Sequence, residues 1–90
     1  MKRNDYLEKR ITYEEYYQAI AKRLKNAGII PPEDIKSDSV LKAYEIWACS
    51  LLTITNSYIK MIFKEFDDQV SIAGLICALK ELVKMEEQHD

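Results

Sequence analysis

Four of the six tyrosines, Tyr6, Tyr13, Tyr16 and Tyr17, fall within the first seventeen residues, close to Lys9 and Arg10. Aromatic faces flanked by cations can stack on bases and hold phosphates. On a helical wheel Arg23 falls beside Tyr16. Tyr6, Lys9, Arg10, Tyr16 and Arg23 are therefore the candidate contacts for a nucleotide or nucleic acid. Tyr13 and Tyr17 sit at core spacing and read as buried rings with hydroxyls at the rim.

The remaining reactive residues do not assemble into a site. The one histidine, His89, is next to the end of the sequence. A metal centre needs several His, Cys or carboxylate ligands converging, and Cys49 and Cys77 lie on different predicted helices with no histidine between them. A cysteine nucleophile would need an adjacent base, and none is evident. Gly28 and Gly74 are isolated, which excludes a glycine-rich phosphate cradle. Glu14-Glu15 and Asp67-Asp68 read as helix caps or solvated carboxylates rather than an acid–base pair. An active site assembled between subunits would draw on Arg3, Arg10 and Arg23, but nothing in their spacing fixes a reaction. The expectation is a protein with no catalytic residue, no metal and no cofactor, which is not an enzyme.

The elements that must position these residues are helical. Gly and Pro number only two each, which argues against strands and turns. The reading is an all-α single domain over 1–90, a small three-helix bundle around one long central helix. It comprises an arm at 1–11, a first helix at 13–27, a second at 38–66 and a third at 70–87. Thr12-Tyr13-Glu14-Glu15 is a capping box. Behind it Tyr13, Tyr17, Ile20, Leu24 and Ala27 form a narrow apolar stripe, and Gly28 is a natural left-handed cap. Ile29-Ile30-Pro31-Pro32 stops the helix and lays isoleucines over the core. Ser37, Asp38 or Ser39 is expected to cap the long helix.

Stepped at about 100° per residue, the long segment is half apolar. Tyr44, Trp47, Ala48, Leu51, Leu52, Ile54, Tyr58, Ile59, Met61, Ile62 and Phe66 share one half. Lys42, Glu45, Ser50, Thr53, Asn56, Ser57, Lys60 and Lys64 share the other. Ile46, Cys49 and Phe63 intrude on the polar half. The phase runs through Thr55-Asn56-Ser57, the one place for a kink. In the last helix Ile72, Leu75, Ile76, Leu79, Leu82 and Val83 form the core side. The opposite side, Val70, Ala73, Gly74, Cys77 and Ala78, is small enough for another backbone to approach. Two flanking helices do not obviously cover Ile46, Cys49 and Phe63, nor Val70, Ala73, Gly74, Cys77 and Ala78. These eight are the candidate oligomer or partner interface.

Charge and composition narrow the partners. With 13 basic and 15 acidic residues the net charge is −2, a small acidic protein whose basic residues lie early and acidic ones late. The charge-free run from Ile46 to Ile59 is shorter than the ~20 apolar residues of a spanning helix, so no membrane role is expected. Two thiols without an export signal indicate a reducing, cytoplasmic setting. The functional expectation is a protein that works by protein–protein interaction, as a homodimer or against a protein target. Accessory, inhibitor and immunity proteins of phages and mobile elements share this size class, a statement that rests on no motif. The alternative is a nucleic-acid or nucleotide binder using the tyrosine-rich start. The negative net charge and the lack of helix–turn–helix spacing count against it.

Overall fold

The computed structural model describes residues 12–37 and 39–87. The arm at 1–11, with Tyr6, Lys9 and Arg10, lies outside the described residues. Three helices occur among the described residues: α1 (Tyr13–Asn26), α2 (Leu41–Lys64) and α3 (Ile72–Glu87). They pack into a small all-α bundle with no strand among the described residues.

Local signals fix the ends of α1. The Thr12 hydroxyl accepts the Glu15 backbone N–H at 3.0 Å, which is the N-cap half of the expected box. Gly28 adopts φ +89°. There Ile29 N–H donates to the Leu24 carbonyl (3.1 Å) and Gly28 N–H to that of Lys25 (3.0 Å). These two bonds close a Schellman motif on the left-handed glycine. The same device ends α2, with Asp67 (φ 58°) taking the glycine's role: Asp68 N–H donates to Phe63 and Asp67 N–H to Lys64. Short aspartate side chains tolerate this conformation better than most residues.

The start of α2 differs from the expectation. Its N-cap is Val40, with no side-chain capping bond. The Ser39 hydroxyl instead accepts the Lys36 N–H at 2.7 Å, closing the preceding turn. The helix consequently begins at Leu41 rather than at 38. The Tyr44 hydroxyl reaches back to the Lys36 carbonyl at 2.6 Å, pinning the turn to the core.

The long helix is kinked. Thr55 has φ −127° and ψ 35°, outside helical values, and its hydroxyl donates to the Leu51 carbonyl at 2.9 Å. A threonine that bonds the carbonyl four residues back competes with the helical ladder and bends it. The buried residues show the consequence. Tyr44, Trp47 and Ala48 are buried before the kink, and Ile59, Ile62 and Phe63 after it. The second triplet repeats the first after 15 residues, whereas four regular turns take about 14.4. The buried side has thus rotated by about 60° across Thr55. The single-phase wheel missed this. It put Phe63 outside, and Phe63 is 1% exposed; it put Ile54 inside, and Ile54 is 76% exposed.

α3 is the most enclosed element. Gly74, Leu75, Ile76, Ala78, Leu79, Glu81, Leu82 and Val83 are all buried, on more than one side of the helix. The Ser71 hydroxyl accepts the Gly74 N–H at 3.1 Å and caps it. A Cβ on Gly74 would lie 3.1 Å from Ser71 Oγ, 3.6 Å from Tyr17 Oη and 3.8 Å from Phe63 Cε1. The close approach that this glycine permits is therefore made inside the chain, by α1 and α2.

Two substitutions check this packing. Gly74→Ala should stay within about 1 kcal/mol of the parent, because the gain in helix propensity offsets the tight fit to Ser71. Gly74→Leu must displace Tyr17 and Phe63 and should lose about 1–3 kcal/mol. Thermal unfolding followed by circular dichroism measures both.

Candidate interaction surface

Of the candidate nucleotide contacts, Tyr16 and Arg23 lie among the described residues. Tyr16 is 3% exposed. Its ring packs edge-on against Tyr17 and Phe66, and its hydroxyl donates to Asp68 Oδ2 at 3.0 Å. The ring faces the core, so the expectation that Tyr16 offers a stacking surface is corrected: its wheel position lies between α1 and the α2–α3 turn. Arg23 donates through Nε and Nη2 to the two carboxylate oxygens of Glu65 at 3.0 and 3.2 Å. This fork holds the guanidinium pKa above its usual value, first through the hydrogen bond and then through the charge of Glu65. Arg23 thereby ties α1 to the end of α2. It is Tyr13 that is exposed, at 65%, with its ring stacked on Tyr17 at a centroid distance of 6.5 Å.

Tyr13 and Tyr17 wall a shallow groove of about 380 Å³ together with Glu14, Cys77, Lys80, Glu81 and Lys84. Helical spacing alone did not join α1 to this side of α3. Lys80 Nζ lies 5.7 Å from the Tyr44 ring centroid, and Lys84 Nζ sits 3.1 Å from Glu81 Oε2. That contact raises the Lys84 pKa, the hydrogen bond contributing most. Both ammonium groups are thus engaged within the bundle. Glu81 is 8% exposed, and its Oε1 has no hydrogen-bond partner among the described residues. No group of three or more potential metal ligands occurs among the described residues.

The eight interface candidates divide. Phe63, Gly74 and Ala78 are buried within the chain. This corrects their assignment to an outer surface: the kink turns Phe63 inward, and α3 turns Gly74 and Ala78 into the bundle. Val70 is half-buried. Ile46, Cys49, Ala73 and Cys77 are exposed, and both cysteines are free thiols.

The exposed apolar surface is concentrated on α2 and the connection before it. Ile30, Val40, Leu41, Ile46, Ile54, Tyr58 and Met61 are exposed there, whereas α1 and α3 expose only Tyr13 and Ile72 among large apolar residues. From Cys49 to Tyr58, α2 has no buried side chain. Its buried residues lie toward its two ends, while in the centre between them Leu51 and Leu52 are half-buried against the core. Beside this centre, Pro32, Asp34, Ile35, Ala43, Ile46, Trp47 and Ser50 line a groove of about 260 Å³. By length and composition alone α2 could cross a membrane, and only 28% of its most apolar 18-residue window is buried. Lone exposed apolar residues need no explanation, but a contiguous patch marks an interaction surface.

Tyr16→Phe tests the placement of that ring in the core. It should lower stability by about 1 kcal/mol, the usual loss for a part-buried hydrogen bond, in urea unfolding. Comparison with protein-family models, curated proteins and solved structures found no match.

Proposed function

We propose that this chain is a non-enzymatic helical protein that acts by protein–protein association, and that copies of it associate through the outer flank of α2. The observation that carries this reading is the exposure of Ile46 (62%), Ile54 (76%), Tyr58 (44%) and Met61 (48%) on one helix. No Asp, Glu, Lys or Arg lies between Ile46 and Ile59. Water solvates such a face poorly, and a second uncharged face fits it without leaving a charge unpaired.

The magnitude sets the strength. Fully burying one such side chain contributes about 1.5–3 kcal/mol. These four are about half to three-quarters exposed, so two copies together regain roughly 7–14 kcal/mol. Lost translational and rotational freedom opposes this by about 4–15 kcal/mol. The two ranges overlap and largely cancel, so the surplus is small and the dimer is weak, with Kd on the order of micromolar or weaker. This suits a protein whose association depends on its concentration.

Sedimentation between about 1 and 500 µM, a range that spans the tighter part of that estimate, is the direct test. The weight-average mass should rise above the 10.5 kDa of one chain. Ile54→Glu should weaken association more than tenfold, since it places an unpaired carboxylate in the contact, while the thermal midpoint of the exposed site barely moves. A chain that stays monomeric to the top of the range, with Ile54→Glu indistinguishable from the parent, overturns the reading.

A further inference from the structure

We infer that the two copies pair antiparallel through α2, crossing at Thr53-Ile54, so that Ile46 of one copy meets Met61 of the other. This rests on the self-association proposed above and goes beyond it by fixing the orientation and the contact residues.

Three features of α2 point to this arrangement. The stretch without a buried side chain, Cys49–Tyr58, is centred on Thr53-Ile54. A two-fold axis placed there lets each copy present the same uncharged stretch to the other, as a closed dimer requires. Ile46 and Met61 are both exposed and lie seven or eight residues either side of that centre. The two-fold therefore brings them level, and both ends of the contact become apolar.

Charge decides between the two possible directions. Glu45, Lys60 and Lys64 are exposed, and none of them makes an ion pair among the described residues. In a parallel pair each would lie level with its own copy, Glu45 with Glu45 and Lys64 with Lys64. In the antiparallel pair Glu45 comes level with the turn carrying Lys60 and Lys64 of the other chain, at both ends. Opposed helix dipoles favour the same direction.

Disulfide trapping reads the geometry directly, since bridging needs Cα atoms about 4.4–6.8 Å apart. In a background with Cys49→Ser and Cys77→Ser, Ile54→Cys should cross-link to itself. Ile46→Cys should cross-link with Met61→Cys when the two singly substituted chains are mixed, and neither should cross-link alone. Glu45→Lys should weaken the dimer by about threefold to fivefold, as expected for rim ion pairs. Adding Lys60→Glu and Lys64→Glu should restore it. Self-linking of Ile46→Cys would mean a parallel pair and overturn the inference while self-association stands. A dimer by sedimentation that gives none of these cross-links would also overturn it. A monomer at all concentrations would remove the underlying reading as well. A chain that stays monomeric but moves Trp47 emission to the blue on vesicles of anionic phospholipid would assign the flank to a membrane surface and overturn both.

Discussion

The bundle depends on the enclosure of α3. A sixteen-residue helix with eight buried positions needs neighbours on more than one side, and its small residues decide how close they come. Gly74 lets Tyr17 and Phe63 approach where a larger side chain would hold α1 and α2 apart. Leu75, Leu79 and Leu82, all fully buried, then supply the apolar area. A chain of ninety residues buries only about two-thirds of its unfolded surface, so no helix can be spared from that core. α1 contributes its narrow stripe of Ile20, Ala21 and Leu24, and α2 contributes its two ends.

The kink follows from the same constraint. α2 runs 24 residues, about 36 Å, whereas its neighbours have 14 and 16. A straight helix of that length would carry apolar positions past the end of the shorter elements. At Thr55 the side chain takes over the Leu51 carbonyl, the backbone leaves helical geometry and the buried side turns. Phe63 and Phe66 then close the core near Tyr16, and Ile54, Tyr58 and Met61 are left outside. The exposed flank is thus the counterpart of a well-filled core. This links the folding constraint to the surface through which the protein is proposed to act.

Polar contacts confirm where each helix ends and which pairs are locked. The Arg23–Glu65 fork and the Tyr16–Asp68 bond both join α1 to the end of α2 or the turn that follows. Lys25–Glu86 joins α1 to α3. The basic early residues and acidic late residues therefore pair within the chain at these points. Such exposed pairs each contribute little to stability, and their main effect is to consume charges that would otherwise define a binding surface. Lys60, Lys64 and Glu45 make no such pair among the described residues, and all three lie on α2.

Much of the fold was legible in the sequence because it is written in local signals. Thr12 and Glu15, Gly28, the paired prolines and the apolar side of Ile72–Val83 specify helix, stop and core within a few residues of themselves. The three-helix architecture follows from them. The exposed apolar surface was only half legible. Ile46 and Cys49 read correctly as uncovered, because they interrupt a polar face wherever the helix turns. Phe63, Gly74 and Ala78 did not, and neither did Ile54, Tyr58 and Met61. Their positions depend on one non-helical residue in α2 and on which side of α3 receives its neighbours. A wheel assumes a constant rotation per residue, and that assumption fails at Thr55. The sequence alone determined three helices, the caps of the first and an apolar excess on the longest. Only the tertiary structure decided which of those apolar residues the core would take and which it would leave exposed, because burial is set by contacts between elements distant in the chain.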